Sequence, residues 1–493
     1  MQNPLKKLSN ANLKELTANV TVPTYDRTAL TPGIVHIGLG NFHRAHQAWY
    51  LHRLMQQGEA HDWAIIGAGV RANDEAQRQR LAAQDYLTTL IELDPAGRSA
   101  EVTGSMIGFV PVGQDNAALI AQMADPLIRI VSLTVTEGGY YLNPVDKSFD
   151  AGHPDMQHDA SQPERPRTAF GAMIAALAIR RSKGAGPFTC QSCDNLQGNG
   201  KILRQTLVSL ARLSDPTLAD WIDQHCTFPN AMVDCIVPAT GPKELQLVKS
   251  FAIEDAAPVT HENFRQWVIE DKFCAGRPDW DKVGATFTDD VHGYEAMKIR
   301  ILNGGHQLIA VAGEILAINL ISDCMSHPLI GDYFRKVAAT EIAPQTEAVP
   351  GMTPDAYVDL IDRRFSNPEI IDTVRRVAFD GSSRQTGFIL PTMRDALNKN
   401  QPMDGLVLSQ ALWARMCSGI REDGSIIEAN DPIWNQLTGA AKAARSTPQA
   451  WLEQRDLYGE LADDQTFQDR FRHWYSVVCS DGVEGALKSY LQG

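Results

Sequence analysis

The segment Glu295-Ala-Met-Lys298-Ile-Arg-Ile-Leu-Asn303-Gly-Gly-His306-Gln-Leu-Ile-Ala sets an amine, an amide and an imidazole in one apolar stretch. At ~100° per residue of α-helix, Asn303 lies ~140° and His306 ~80° from Lys298, so one broad face holds all three. Apolar residues surround that helix, which therefore reads as buried. A lysine against such a surface is desolvated. Desolvation disfavours the ammonium, so the pKa falls and the amine can act as a base near neutral pH; Arg300 pushes the same way. An amide and an imidazole beside it can hold a hydroxyl or carbonyl oxygen. The Gly304-Gly305 pair costs ~1 kcal/mol per residue relative to alanine inside a helix, which implies a close neighbour there. The competing reading has Lys298 reaching solvent, with Asn303 and His306 as satisfied core polars. Pattern alone leaves the two level.

A second motif is Gly38-Leu39-Gly40-Asn41-Phe42-His43-Arg44. It follows a strand-like run and opens a helical one. Two glycines there allow a tight turn and close approach of backbone to a pyrophosphate. The third glycine of the usual fingerprint is absent and His43 holds its place, so a plain strand-to-helix turn is the alternative. The acidic residue for the adenosine ribose is expected after the next strand. Asp74 is the candidate, with Asn73 and Glu75 beside it, although it follows the glycines by more than the usual ~20 residues. Arg71 could take a 2′-phosphate instead. NAD is expected over NADP, which is not excluded.

These residues need elements to place them. Gly33–Gly40, Trp63–Val70, Tyr86–Leu93, Ile107–Val112, Ile128–Val135, Pro187–Cys193 and Met232–Val237 read as strands. Helical runs Phe42–Gln57, Asn73–Gln84, Ala117–Ala124, Arg167–Lys183 and Gly200–Leu213 alternate with them. Alternation of this kind predicts crossover units and a parallel sheet, hence an α/β, Rossmann-like N-terminal domain over 1–289. From 290 to 493 strands are scarce. Glu295–Ser322, His327–Thr340, Pro354–Arg364, Glu369–Phe379 and Gln410–Cys417 read as helices, which predicts a mainly α-helical second domain. The break is placed near Asp289–Tyr294.

Composition excludes several functions. The chain has 493 residues, with 45 basic and 59 acidic side chains, so 45 − 59 = −14. That balance argues against nucleic acid and against an anionic membrane surface as partner. Met1–Thr17 has no apolar core of a secretory leader. The longest apolar run, Leu308–Ile321, is interrupted by Glu314 and Asn319 and is too short for a span of ~20 residues. Eight cysteines without a leader predict reduced thiols and a cytoplasmic protein. Cys190-Gln-Ser-Cys193 has metal-like spacing but no second pair, so a buried strand cysteine is the better reading and no metal is expected. His43 and His46 read as packing or phosphate-facing residues rather than ligands.

The sequence resembles the polyol-specific long-chain dehydrogenases, the mannitol dehydrogenase family, which also holds fructuronate and tagaturonate reductases and arabinitol dehydrogenases. The resemblance spans essentially the whole chain. It is carried by HIGLGNFHRAHQA (His36–Ala48), VSLTVTEGGY (Val131–Tyr140), SCDN (Ser192–Asn195) and FPNAMVD (Phe228–Asp234). QWVIEDKF (Gln266–Phe273), GRPDWDKVGA (Gly276–Ala285), K-x4-N-x2-H at Lys298, Asn303 and His306, and RFSNP (Arg364–Pro368) complete it. The resemblance implies a site in a cleft between two domains and a metal-independent mechanism. It implies Lys298 as general base and Asn195 and Asn303 as the oxyanion hole. His306 and Asp234 would bind or orient substrate, Glu295 would line a proton path, and Arg376 and Arg384 would contact substrate hydroxyls. Ile37, Gly38, Leu39, Gly40, Asn41, Phe42, His43, Arg44, Asp74 and Thr136 would form the cofactor site. The implied reaction is oxidation of a polyol at C2, with D-mannitol to D-fructose leading, by a monomer. Cys235 after Asp234, Arg384 and the His261-Glu-Asn-Phe-Arg wording depart from the family pattern. They keep another hexitol, a pentitol or a hexuronate open as substrate, since an arginine can hold a carboxylate by two parallel hydrogen bonds. A nucleotide-binding sensor without chemistry is the alternative from another class.

Overall fold

The run Ile34-Val35-His36-Ile37 shows no apolar–polar alternation, and in the structure it is buried on both faces, as a central parallel strand must be. The structure is a computed structural model that describes residues 4–16, 18–113, 115–143 and 147–493. Within the N-terminal stretch read for a leader, 1–3 and 17 lie outside the described residues. The chain divides into two units, Met1–His292 and Gly293–Gly493, close to the expected break at 289/290.

The first unit is built on five parallel strands: β1 (Pro32–Ile37), β2 (Ala64–Ala68), β3 (Met106–Phe109), β4 (Ile130–Leu133) and β5 (Thr189–Ser192). Their spatial order is β3-β2-β1-β4-β5. This is the Rossmann order, and the direction of winding reverses between β1 and β4, where ligands meet the carboxyl ends of the strands. Helices α1 (Asn41–Ala45), α2 (Gln47–Gln56), α3 (Asp74–Ala82), α4 (Ala169–Lys183) and α5 (Asn199–Ser214) cross between strands or flank them. One face of the sheet is covered by Phe170, Met173 and Leu177 of α4, the other by Leu51, Leu54 and Met55 of α2. Each such side chain contributes ~1.5–3 kcal/mol on burial.

The helix expected over 42–57 breaks at His46, with φ −119° and ψ −97°. A continuous helix needs the Ala45 carbonyl for residue 49, but Arg265 Nε donates to it at 2.8 Å. Two sheets go beyond the expected alternation. Thr88–Asp94 forms an antiparallel hairpin with Gly97–Thr103, flanked by Val20–Thr21 and Val259–Glu262. β6 (Ala231–Asp234) pairs antiparallel with β7 (Gln266–Glu270), which pairs with β8 (Thr286–Thr288).

The second unit is helical. α6 (His292–Met297) runs through a π-helical turn, Lys298–Asn303, into α7 (Gly304–Ile315). The helix expected to reach 322 stops earlier: Ala317 is left-handed (φ +57°) and Ile318 N bonds Gly313 O at 2.9 Å, a C-cap without glycine. Of the helix expected over 369–379 only α8 (Val374–Ala378) forms. The residues before it turn to Asn319–Ile321 instead, with Ile321 N on Asp372 O and Val374 N on Asn319 O. α9 (Asp404–Met416) packs against the long α10 (Gln465–Gln492), kinked at Gly482: Gly405 lies against Tyr490, and Trp474 Nε1 and Arg470 Nη1 donate to Asp404.

Candidate active site

In the first unit the loop after β1 is stitched to the turn after β4. Gly38 has φ +89°, and a Cβ there would stand 2.1 Å from Thr134 O. Only glycine fits. Thr134 Oγ1 donates to Gly38 O at 2.7 Å, and His36 bonds Ser132 and Thr134 at 2.7 and 2.9 Å. Burial pushes the His36 imidazole down to about 3, so it is neutral. Gly40 differs from Gly38. It is exposed, and a Cβ on it would find nothing nearer than Gly38 O at 3.9 Å. The protein's own packing does not demand glycine there, whereas close approach of a ligand to the backbone does.

The side chains of this loop serve the domain. Ile37 and Leu39 are buried in its core. Asn41 Nδ2 donates to Pro238 O and Thr240 Oγ1, and its Oδ1 accepts from Arg44. Arg44 is buried, donates to the Ala257 and Gly40 carbonyls, and is pushed down to about 10 by burial. His43 stacks on His36 at 3.4 Å, and Phe42 on His46 at 4.8 Å. The expected cofactor loop therefore offers backbone and glycine surface rather than side-chain ligands.

At the exit of β2, Asp74 folds back so tightly that a Cβ on Gly69 would meet its Cβ at 2.3 Å. Its carboxylate accepts from Arg71 N at 2.9 Å. Glu75 is turned onto its own helix, held by two bonds from Arg78. Of the three neighbours weighed from sequence, Asp74 is the one set at the strand's carboxyl end. Thr136, with φ +68°, lies in the turn after β4. A residue not singled out from sequence holds it there. Asp194, buried after β5, accepts from Val135 N (3.1 Å), Thr136 N (2.9 Å) and Tyr140 OH (2.7 Å). Burial nevertheless raises its carboxyl above the usual range. Its place inside SCDN was the available signal. Asn195 follows it, exposed, at the same edge, and Asp234 ends β6, buried and opposite Gln266.

The second unit holds the other expected residues. Lys298 is 7% exposed and Glu295, three residues earlier, is buried. The π turn changes the spacing argument. In π geometry a backbone group bonds five residues along. Lys298 and Asn303 are five apart, so they lie one above the other instead of ~140° apart. His306 then follows Asn303 by three residues of α-helix, on the same face. The three form a narrow stripe where the sequence allowed only a broad face. Phe334 packs against Gly305, whose Cβ would lie 2.6 Å from the ring, which is the close neighbour the glycine pair implied. Arg300 does not push on Lys298 as expected: it is turned to Asp395 (2.6 Å) and the Gln345 carbonyl.

His306 stacks on Phe365 at 4.0 Å, and burial pushes it down to about 4. Its Nε2 lies 3.8 Å from Asp372 Oδ2, and Asp372 accepts two 2.7 Å bonds from Arg376. Arg384 Nη1 donates to Val377 O at 2.8 Å and Arg376 O at 3.2 Å. The unit thus gathers His306, Arg376 and Arg384 around Asp372 and α8, and Asp372 is a second residue sequence reasoning missed. Its signal was modest, an acid four residues before Arg376. Cys190 and Cys193 are buried, and among the described residues no group of three His, Cys, Asp or Glu converges as a metal cage.

Residues 32–282 match the family model of the mannitol dehydrogenase Rossmann domain, and residues 290–479 that of the mannitol dehydrogenase C-terminal domain. The chain is 54% identical over 476 residues to a mannitol 2-dehydrogenase of Cereibacter sphaeroides, covering 97% of this chain and 100% of that one. It is 38% identical to one of Pyricularia oryzae, covering 98% and 99%. Among solved structures it is similar to Pseudomonas fluorescens mannitol 2-dehydrogenase in ternary complex with NAD and D-mannitol, at 40% identity, TM-score 0.85, covering 99% and 100%. A substrate-free D-sorbitol dehydrogenase gives 32% identity and TM-score 0.92, covering 97% and 100%.

Proposed function

Because the chain belongs to the mannitol dehydrogenase family, we propose that it oxidises a polyol at a secondary alcohol, D-mannitol at C2 to D-fructose, with NAD and without a metal. The relatives named for mannitol, and the neighbour solved with NAD and D-mannitol, support that substrate and cofactor. The observation that carries the chemistry is the stripe of Lys298, Asn303 and His306 created by the π turn. The open space over Gly40 fits a nucleotide. Gly38, Gly40 and Thr136 would hold its phosphates and Asp74 its ribose. Bound there, NAD accepts the hydride.

The chain's own residues do the rest. Lys298 Nζ takes the proton of the hydroxyl as the carbon loses its hydride. The oxygen gains negative charge in that step, and the side-chain amides of Asn303 and Asn195 would donate to it. His306 is neutral, so it can donate to or accept from a hydroxyl without bringing charge. Asp234 orients the substrate, Arg376 and Arg384 hold its distal hydroxyls, and Glu295 leads the proton away from the amine. Base and oxyanion donors are thus both side chains, which leaves no step for a Lewis acid. The cysteines, none of them in a disulfide, support the reading of a reducing, cytoplasmic compartment.

The test is spectrophotometric. Wild-type protein with NAD and D-mannitol should form NADH, and a panel of hexitols, pentitols and hexuronates with both cofactors ranks the substrates. Lys298→Ala should lower kcat ~10²–10⁴-fold, the usual contribution of a general base, with NADH affinity within twofold and partial rescue by a small primary amine. Near-normal turnover of that variant removes the base assignment. Cofactor binding without turnover on the whole panel favours the sensor.

A further inference from the structure

Behind the stripe, three glutamine side chains form a chain through the core of the second unit. Gln307 sits beside His306 on α7. Gln385 sits beside Arg384 and opens another π-helical turn, Gln385–Ile389. Gln410 lies on α9. All three are buried, at 1%, 0% and 0% exposure. Trp451 Nε1 donates to Tyr458 OH (2.6 Å), Tyr458 OH to Gln410 Oε1 (3.1 Å), and Gln410 Nε2 to Gln385 Oε1 (2.7 Å). Gln385 Nε2 then donates to Gln307 Oε1 (3.3 Å), and Gln307 Nε2 to Val377 O (3.0 Å).

Every bond in this series points the same way. Turning any one amide over would set like groups against each other on at least one side, so the orientation of the whole series is locked. Bonds aligned in this manner polarise one another, and a buried amide left without its partner is expensive. Apolar side chains could fill the same volume while leaving the helices free to slide or rotate slightly. The amides hold one register.

That register ends on one atom. Val377 O accepts from Gln307 Nε2 and also from Arg384 Nη1 at 2.8 Å, which uses both of its lone pairs. Val377 follows Arg376, Gln307 follows His306, and Gln385 follows Arg384. The chain of amides therefore ties together the three backbone positions from which the proposed substrate-binding side chains leave.

We propose that Gln307, Gln385 and Gln410 are positioning residues for substrate. Through the shared Val377 carbonyl they fix the reach of Arg384 relative to His306 and Arg376, and so set affinity for the polyol without touching it. The inference rests on the functional reading given above, in which Arg384 contacts substrate hydroxyls.

The experiment is a double-mutant cycle in the full-length enzyme. Gln385→Leu should raise KM for the polyol about tenfold while kcat and KM for NAD stay within twofold. Arg384→Ala should raise the same KM. Adding Gln385→Leu to Arg384→Ala should change it less than twofold further, because the positioned side chain is gone. General loosening of the fold would instead multiply the two effects and would also lower kcat, and that result overturns the proposal. An unchanged polyol KM in Gln385→Leu overturns it too, provided Arg384→Ala raises that constant. If Arg384→Ala leaves it unchanged, the failure lies in the substrate-contact reading. Should Gln385→Leu not fold, Gln410→Met in the same two backgrounds decides by the same criteria, with a rise of about threefold expected. Gln410 is four hydrogen bonds from the arginine by way of the Val377 carbonyl and neighbours none of the three anchors in sequence.

Discussion

A methyl group added at Gly305 would sit 2.6 Å from Cε2 of Phe334 and 3.4 Å from the ring of Phe365. Phe334 is fully buried, and Phe365 is the ring on which His306 stacks. Two opposing terms decide the outcome of Gly305→Ala. Alanine in a helix interior gains ~1 kcal/mol over glycine. Overpacking a closed core costs ~1–3 kcal/mol, and a rigid ring at so short a distance places this site near ~2–3. The net loss is ~1–2 kcal/mol, or a fall in Tm of ~2–8 °C for a unit of this size. Gly439, inside the helix Trp434–Ala444, is the control, since nothing stands within 4 Å of its Cβ. Gly439→Ala keeps only the favourable term and should raise Tm by ~2–4 °C. Thermal unfolding of both variants beside wild type reads the difference. Because Phe334 must shift and its ring packs on Phe365, with centroids 5.4 Å apart, Gly305→Ala should also raise KM for the polyol while KM for NAD stays put. Two variants that both gain stability would refute the packing argument.

Three further outcomes follow from the first unit and the buried histidines. Asp194→Asn keeps one oxygen but turns an amide N–H toward the Val135 and Thr136 donors. With a charge-assisted bond worth ~1.5–3 kcal/mol and the carboxylate already disfavoured by burial, NADH affinity should weaken about tenfold in a fluorescence titration; unchanged affinity would show that the turn stands without its anchor. Asp74→Ala should narrow the ratio of kcat/KM for NAD over NADP, and an unaltered ratio moves the ribose contact to Asn73 or Arg71. His36, His261 and His306 are held near 3, 3 and 4 by burial, against 6.5 in the unfolded chain. Between those limits the unfolded chain binds more protons, so stability is complete above about pH 6.5 and falls as pH drops, by up to ~1.4 kcal/mol per pH unit and site. A Tm that stays level from pH 7 to 5 would contradict this.

What could be read beforehand was what repeats or alternates. The parallel strands announced themselves as short, continuous apolar runs ending in glycine, and the Gly38 turn followed from them. The strand Gly97–Thr103 was not legible, because only Ala100 and Val102 are apolar in a polar run and its partner lies across a two-residue turn. Glu369–Phe379 reads as helical from its apolar spacing, yet Asp372 and Val374 spend their backbone groups on the 319–321 segment. No element is read beyond Cys417, although Trp434–Ala444 and Gln465–Gln492 are helices. In the proposed site, residue types pointed to Lys298, Asn303 and His306, but a 3.6-residue period cannot foresee a π turn. Asp194, Asp372 and the glutamines act by holding others, and polar residues in such roles carry no spacing signature of their own.

The turn at Lys298–Asn303 also bears on chain length. An α-helix advances ~100° per residue. Loss of any single residue between 298 and 303 would let the rod run on as regular helix, with α7 still seated on its apolar neighbours. Lys298 and Asn303 would then stand four residues apart in regular helix, still one above the other, so the amine would stay with the amide and the imidazole. Helix content and melting would hardly register such a deletion. The turn therefore absorbs one codon, and a lineage could gain or drop that codon without parting the three side chains.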